Sequence, residues 1–241
     1  MKKRTMSLIL ATALSCSLLL TACGNSGDST SGGNASGSNT PSSSVSSGAS
    51  TSGSNASGYT FRTSESNRVV TENGTFTKEQ AATPVLITSI GQSADVSMLD
   101  ALMKKIGADY SFNATASAEE VAGYKTVILV SGASSKGLGA AGISQEDEIA
   151  RAEAIVQTAK DNGITVIVAH LGGSARRGTL SDQFNDLALS CASYVMVVEE
   201  GNDDGKFTDA ATDAGVPITL LYSIADALTP CRRSLADLMY V

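Results

Sequence analysis

The regular part of this chain begins at Pro84, where short apolar runs start to alternate with stretches of helical spacing. Unbroken apolar runs are typical of strands buried on both faces of a parallel sheet. The pattern predicts strands at 85–90, 110–112, 125–130, 164–169, 194–198 and 217–221. The run at 110–112 is short, so the prediction is a sheet of five or six strands.

Helices are predicted between these strands from apolar spacing and from capping residues. Ser144 and Asp147 form a capping box at the start of one of them, and Asn162-Gly163 ends it. The predicted helices cover 94–106, 144–162, 181–191 and 208–214, and a broken helix closes the chain.

This alternation of strands and helices predicts an α/β fold: a single doubly wound, mainly parallel sheet with helices on both faces. Two strand orders remain possible, flavodoxin-like or Rossmann-like, and we expect the first.

The residues before Pro84 follow a different pattern. Residues 24–58 are nearly all Ser, Gly, Asn, Thr and Ala, which leaves too little apolar surface to form a core, so we predict a disordered tether. Residues 59–83 are ambiguous. Val69-Val70-Thr71 and Thr75-Phe76-Thr77 flank Asn73-Gly74 as in a hairpin, which either packs on the main domain or forms a loosely ordered lead-in.

The first residues are basic, and an apolar run from Leu8 to Leu20 follows them. The run is shorter than the ~20 residues of a membrane span and fits the hydrophobic part of a signal peptide. The stretch Leu20-Thr21-Ala22-Cys23 resembles the lipobox of a bacterial lipoprotein.

That resemblance implies cleavage before Cys23 and attachment of palmitate-type acyl chains to it. It further implies anchoring at the extracytoplasmic face of the cell membrane. The expected division is a signal peptide (1–22), a lipidated cysteine with its tether (23–58), the ambiguous lead-in (59–83) and an α/β domain (84–241).

Charge narrows the range of partners. The whole chain has a formal net charge of −7, and loss of Lys2, Lys3 and Arg4 with the signal peptide makes it more negative still. Because an acidic surface repels polyanions, we expect no nucleic-acid partner.

The expected processing removes Cys16 and lipidates Cys23, so the cysteines that remain in the folded part are Cys191 and Cys231. Outside the cytoplasm they could form a disulfide, and two buried free thiols are the equal alternative. Together with His170, the one histidine, they make a poor zinc set, so no metal is expected.

In doubly wound folds, ligands bind beyond the carboxyl ends of the strands. The loops that follow strands 85–90, 125–130 and 164–169 are small, polar and rich in glycine, and they contain three cations in an acidic protein. Glycine allows backbone N–H groups to approach a ligand, and cations bind carboxylate or phosphate. The candidate ligand-binding residues are Gln92, Ser93, Asp95, Ser134, Ser135, Lys136, Gly137, His170, Gly172, Gly173, Arg176 and Arg177.

The segment Gly137-Leu138-Gly139-Ala140-Ala141-Gly142 matches G-x-G-x-x-G, but it starts too far after its strand to bind a dinucleotide. No cofactor is therefore expected. His170 ends a central strand and could act with a nearby serine in a hydrolase, although the chain has no G-x-S-x-G elbow. Catalytic residues cannot be assigned from the sequence, and the balance is against an enzyme.

Over residues 84–237 the chain also resembles an uncharacterised family of bacterial extracytoplasmic domains. The resemblance rests on residues 86–96, 134–142 and 169–178, and it implies no activity. The leading hypothesis is a membrane-tethered binding module for a small anionic solute, which could pass that solute to a transporter or sensor. The alternatives are an extracytoplasmic hydrolase using His170 and a protein-interaction domain without a small-molecule ligand.

Overall fold

Seven strands form one sheet in the computed structural model, which describes residues 58–235. The strands are β1 (Val69–Glu72), β2 (Val85–Ile90), β3 (Ser111–Phe112), β4 (Thr126–Ser131), β5 (Thr165–His170), β6 (Tyr194–Val198) and β7 (Ile218–Leu221). The helices are α1 (Asp95–Lys105), α2 (Ala118–Val121), α3 (Ser135–Ala141), α4 (Gln145–Asp161), α5 (Thr179–Leu189), α6 (Lys206–Ala214) and α7 (Leu228–Leu235). The predicted signal peptide, the lipidation of Cys23 and nearly all of the tether lie outside the described residues.

The strand order is β1-β7-β6-β5-β4-β2-β3, and every neighbouring pair is parallel except β1 with β7. The six parallel strands follow the order of flavodoxin-like sheets, with one strand added. The α/β class and the mainly parallel sheet are therefore confirmed, but the expected count of five or six strands was too low. The order reverses between β2 and β4, and this is the point where such folds bind ligands.

Helices cover both faces of the sheet. Buried side chains of α4, α5 and α6 pack with one face in a cluster that includes Ile155, Phe184 and Phe207. Those of α1 and α7 pack with the other face, with Leu99 and Cys231 in the second cluster. The central strands are buried throughout, which explains their unbroken apolar runs.

The possible hairpin in residues 59–83 does not form. Residues 69–72 instead pair with the last strand, where Val69 lies opposite Leu221. Phe76 is 3% exposed and stacks on Tyr194 with ring centroids 4.7 Å apart. Because β7 would otherwise be an open edge, pairing with β1 satisfies backbone groups that a local hairpin would leave exposed. This part of the lead-in is packed on the main domain.

A carboxylate holds the beginning of the lead-in. Glu199, which follows β6, accepts hydrogen bonds from the backbone N–H groups of Arg62 and Thr63, both at 2.7 Å. The Tyr59 hydroxyl donates to the same carboxylate at 3.0 Å, and the Thr63 hydroxyl donates at 2.5 Å. We call this set of contacts the Glu199 latch.

Cys191 and Cys231 are free thiols. Cys191 packs against the first hydrophobic cluster and Cys231 belongs to the second, so the two lie on opposite faces of the sheet. The two cysteines therefore form no disulfide in this structure; Cys231 is buried, whereas Cys191 is only partly buried. Burial raises the pKa of Cys191 to about 11 and that of Cys231 to about 12, which keeps both protonated at neutral pH.

The packing of Phe76 predicts that Phe76→Ala lowers the free energy of unfolding by about 3–5 kcal/mol, because it removes a buried aromatic side chain and its stack on Tyr194. Urea unfolding measures this loss. The control is Phe112→Ala on the exposed edge strand, where the side chain is 41% exposed and the change is expected within about 0.5 kcal/mol. Equal effects of the two variants would contradict the assignment of the lead-in to the core.

Candidate functional site

The loops after β2 and β4 interlock at the point where the strand order reverses. Gln92 and Ala133 form an isolated antiparallel bridge, and the Ser134 N–H donates to the Gly91 carbonyl at 2.9 Å. A Cβ at Gly91 would lie 2.6 Å from the Gly132 carbonyl oxygen, so this approach requires glycine. Gln92 itself has φ +57°, which is uncommon for a residue with a side chain. The two loops thus form one rigid unit.

The second of these loops contains a helix that the sequence analysis treated as a loop. Ser134 caps α3, because its hydroxyl accepts a hydrogen bond from the Gly137 N–H at 3.1 Å. A Cβ at Gly137 would overlap the Gln92 carbonyl oxygen, so this glycine lets α3 pack on the first loop. Ser135 and Lys136 are exposed on the first turn of α3.

Beneath these loops lies a buried ion pair. Glu148 is fully buried, and its carboxylate accepts hydrogen bonds from the Gly91 N–H at 2.8 Å and the Gln92 amide at 3.1 Å. Arg151 contacts the same carboxylate through Nε and Nη2. Its guanidinium also donates to the carbonyls of Ser89 and Ala116. The pair therefore joins helix α4 to the ends of β2 and to the loop after β3.

Ser93, Asp95 and Arg176 meet above the switch point. The Ser93 hydroxyl donates to Asp95 Oδ2 at 2.8 Å, and Arg176 Nε lies 3.2 Å from the same oxygen. Ser93 and Asp95 are buried, whereas the Arg176 side chain is 25% exposed. A Cβ at Gly172 would overlap Arg176 Cγ, and one at Gly132 would lie 2.9 Å from Arg176 Cβ. The Arg176 side chain therefore packs directly on the backbone of these two glycines.

Arg177 points elsewhere. Its guanidinium binds Asp182 at 2.9 Å and Asp204 at 2.7 Å, and it lies over the ring of Phe207. The hydrogen bond from Arg177 lowers the pKa of Asp204 to about 2 and raises that of the guanidinium. The Arg177 guanidinium also donates to the Gly201 carbonyl. Arg177 therefore joins the loops after β5 and β6 and is not oriented toward Arg176.

His170 is fully buried at the end of β5. Its Nδ1 lies 3.2 Å from Asn185 Oδ1, and its Nε2 lies 3.2 Å from the carbonyl oxygen of Gly173. Burial lowers the pKa of the imidazole. Gly173 has φ +57° and begins the 3-10 turn Gly173–Arg176. Both ring nitrogens are thus used inside the protein.

The structure brings most of the predicted residues to one edge of the sheet but gives them unequal access. Gln92, Ser93, Asp95, His170 and Gly173 are buried, Gly172 and Arg176 are partly exposed, and Lys136 is exposed. The hydroxyls of Ser89 and Ser131, at the ends of β2 and β4, are buried and lack a hydrogen-bond partner within residues 58–235.

Sequence reasoning missed Glu148, Arg151 and Asn185. A signal for Glu148 was present: it lies four, seven and eleven residues before Ala152, Ile155 and Ala159, on the buried stripe of α4. A carboxylate on an apolar stripe requires a buried partner, and Arg151 lies one turn away.

No helix in residues 58–235 combines the length and apolar character needed to cross a bilayer. Over the same range, no set of three or more His, Cys, Asp or Glu side chains is arranged to hold a metal ion.

Comparison with known proteins gives one family. A family model described as "Domain of unknown function (DUF6305)" matches residues 82–234. No curated protein matches the sequence.

Two solved structures show distant similarity. The psychrotrophic esterase EstA from Pseudoalteromonas sp. is 9% identical, with a TM-score of 0.28 over 54% of this chain and 97% of the esterase. A GDSL-like lipase from Bacteroides thetaiotaomicron is 13% identical, with a TM-score of 0.27 over 61% of this chain and 73% of the lipase. Neither similarity is close enough to indicate an activity.

The Glu148–Arg151 pair predicts a large effect of Glu148→Gln. Removal of one charge from a buried pair leaves the other uncompensated, so the free energy of unfolding should fall by about 3–5 kcal/mol. Urea unfolding measures the loss. The control is Glu153→Gln, an exposed carboxylate on the same helix, with an expected change within about 0.5 kcal/mol. A similarly small loss in Glu148→Gln would show that the pair does not hold the loops.

Proposed function

Since the chain belongs to the family described as Domain of unknown function (DUF6305), whose description assigns no activity, we propose its function from the site itself. The proposal is a membrane-tethered, extracytoplasmic binding module that takes a small anionic solute at the carboxyl edge of the sheet. The observation that supports it is the arrangement of Arg176: Asp95 holds one side of its guanidinium, and the other side keeps N–H donors for a ligand.

Arg176 is held in the way a recognition arginine requires. Asp95 binds its Nε, and Nη1 makes a longer contact of 3.3 Å with the carbonyl of Ala175. Nη2 makes no hydrogen bond within the described part of the chain. A guanidinium has five N–H donors, so several remain for a carboxylate or phosphate. Because Asp95 and the packing on Gly132 and Gly172 already fix the Arg176 side chain, ligand binding would cost little of its conformational entropy.

Lys136 supplies the second cation. Its side chain is exposed and makes no hydrogen bond or ion pair within residues 58–235. The first turn of α3 is fixed against the carbonyl of Gln92, in the loop that also contains Ser93 and leads to Asp95. Lys136 on α3 and Arg176 in the turn after β5 therefore belong to neighbouring segments at the carboxyl edge of the sheet, and both would contact an anionic solute in the proposed site.

The geometry does not favour a hydrolase that uses His170. A general base must reach the proton that it removes, and both nitrogens of this buried ring already face oxygens of the protein. A protein-interaction domain without a small-molecule ligand remains as an outcome of the binding experiment below.

The membrane-tethered part of the proposal rests on Leu20-Thr21-Ala22-Cys23. Two acyl chains give stable anchoring, since each buried methylene adds about 0.8 kcal/mol. A module on such a tether could hand its solute to a transporter or sensor in the same membrane.

We expect anions to stabilise residues 24–241, expressed without Cys23 and its lipid, in a thermal-shift series with sulfate, phosphate and small carboxylates. A ligand at 100 times its dissociation constant adds about 2.7 kcal/mol, or roughly 5–10 °C for a domain of this size. The shift should vanish in the double variant Lys136→Ala/Arg176→Ala.

The matched control is Lys105→Ala/Arg232→Ala, which removes one exposed lysine at the carboxyl end of α1 and one exposed arginine on α7. It should keep the full shift, so a general charge effect is separated from a site. An unchanged thermal shift in Lys136→Ala/Arg176→Ala would contradict the proposed anion site. A flat response of the unaltered chain to every anion would favour the protein-interaction domain.

The anchor has its own test. Cys23→Ala removes the acceptor of the lipid, so the protein should move from the membrane fraction to the soluble extracytoplasmic fraction after cell lysis. Cys16→Ala, earlier in the same apolar region, is the control and should leave the protein with the membrane. Retention of the Cys23→Ala protein in the membrane would show that the anchor lies elsewhere.

A further inference from the structure

His170 lies between two hydrogen-bond acceptors. Nδ1 faces the Asn185 side chain and Nε2 faces the carbonyl oxygen of Gly173, each at 3.2 Å. A backbone carbonyl can only accept. The Asn185 amide is oriented by its other contacts, because its Nδ2 donates to Asp182 Oδ1 at 3.1 Å and to the carbonyl of Arg176 at 3.3 Å. Its Oδ1 is therefore the atom that faces the ring.

A neutral imidazole has one N–H and can satisfy one of these two oxygens, whereas the imidazolium ion satisfies both. The hydrogen-bond partners of His170 therefore favour the charged form. Burial favours the neutral form, because the ring is fully enclosed and packs against Phe207, with ring centroids 4.6 Å apart. These two demands conflict at a single side chain.

The charged groups around the ring come from each neighbouring element. Arg177, before α5, opposes protonation and Asp95 in α1 favours it. Asp182 in α5 accepts a hydrogen bond from Asn185, the side chain that contacts the ring. On the far side, Glu200 approaches Gly173, and a Cβ at Gly201 would lie 2.5 Å from Nε2, so the ring edge is closely packed there. Desolvation is the largest influence, and it lowers the pKa of His170 below its usual value of 6.5.

The same two partners hold the turn that contains Arg176. Gly173 is its first residue, and the carbonyl of Arg176, its last, accepts from Asn185. His170 and Asn185 together therefore hold both ends of the turn Gly173–Arg176. When His170 is neutral, one of its two contacts is an oxygen facing a nitrogen lone pair. Either the bond to the Gly173 carbonyl is lost, or the bond to Asn185, the side chain that holds the Arg176 carbonyl, is lost.

We propose that His170 is a positioning residue: its protonated form fastens both ends of the turn Gly173–Arg176 and so holds Arg176 in the orientation that binds an anion. This inference rests on the proposed anion site. Binding and protonation are then linked, so an anion promotes protonation of His170 and protonation strengthens anion binding by the same factor. Because one proton is involved, affinity can rise by up to about tenfold per pH unit as pH falls through the pKa of His170.

Without an anion, protonation of His170 has the opposite effect on folding, because it lowers the free energy of unfolding. Since the pKa in the folded protein is lowered, the unfolded chain binds this proton more readily below pH 6.5. The stability contributed by neutral His170 is present above that pH and decreases as the pH falls toward the folded-state pKa. Sulfate, which does not titrate between pH 5 and 8, should offset that loss.

The chain has one histidine, so its ring can be observed without overlap. Nitrogen-15 NMR of the imidazole in residues 24–241, followed from pH 8 to pH 4.5, reports the tautomer and the protonation of each nitrogen. We expect conversion to the doubly protonated ring below pH 6.5 in the folded protein, at a higher pH when sulfate is present. A single neutral tautomer throughout the folded range would overturn the proposal.

The link to Arg176 is tested in the same spectra. The Arg176 Nε–H signal, which reports its contact with Asp95, should shift with the midpoint of the His170 titration. In His170→Gln, which cannot become charged, the shift of the Arg176 signal that follows the His170 titration should disappear. Any shift caused by titrating carboxylates should remain. A purely structural role would leave the Arg176 signal unchanged through the His170 titration, and this result would overturn the inference even if His170→Gln failed to fold.

Sulfate binding separates the two proposals. If Arg176 follows His170 but sulfate binds at no pH, the positioning role stands and the anion site is rejected. If sulfate binds with the same affinity from pH 8 to pH 5 and Arg176 does not respond, the anion site stands and the role of His170 is rejected. His170→Gln should bind sulfate with an affinity that no longer changes over this range.

Discussion

The arrangement of the carboxyl edge depends on one buried carboxylate. Glu148 accepts the backbone N–H of Gly91 and the side chain of Gln92, and it is neutralised by Arg151. Its carboxylate supplies the acceptor that the buried Gly91 N–H requires. With the first loop fixed in its left-handed turn, the second can pack on it, and Asp95, held by the Ser93 hydroxyl, is placed where Arg176 reaches its carboxylate. The polar network is costly to bury unless every member is paired, so it favours a single arrangement of the edge.

Two arginines at this edge, Arg151 in α4 and Arg177 in the loop after β5, act inside the protein. Arg151 and Arg177 each contact carboxylates and backbone carbonyls, and they join neighbouring loops. Arg176 differs because its partner, Asp95, uses only one side of the guanidinium. Counting cations in glycine-rich loops therefore overestimates a binding site, and the hydrogen bonds of each guanidinium show which one is open to a ligand.

The sequence was sufficient to predict the elements that local rules determine. The buried strands, the Ser144 cap of α4 and the doubly wound class follow from apolar periodicity and capping. The pairing of β1 with β7 could not be predicted, because the two strands are far apart in sequence and a turn signal at Asn73-Gly74 suggested a local partner. Helix α3 was missed because its two glycines and the Gly142 that follows it resemble a loop, although Ser134 caps it and Leu138 is buried. The ion pairs depend on tertiary distances, which spacing does not reveal.

The Glu199 latch also has a mechanical consequence. It lies ahead of β1 in the chain, and Val69 at the start of β1 pairs with Leu221 at the carboxyl end of β7. A pull transmitted along the chain from its amino-terminal side reaches the latch before it reaches this strand pair. The hydrogen bonds at Glu199 would bear the load first, and the outermost strand would be shielded from being peeled off the sheet.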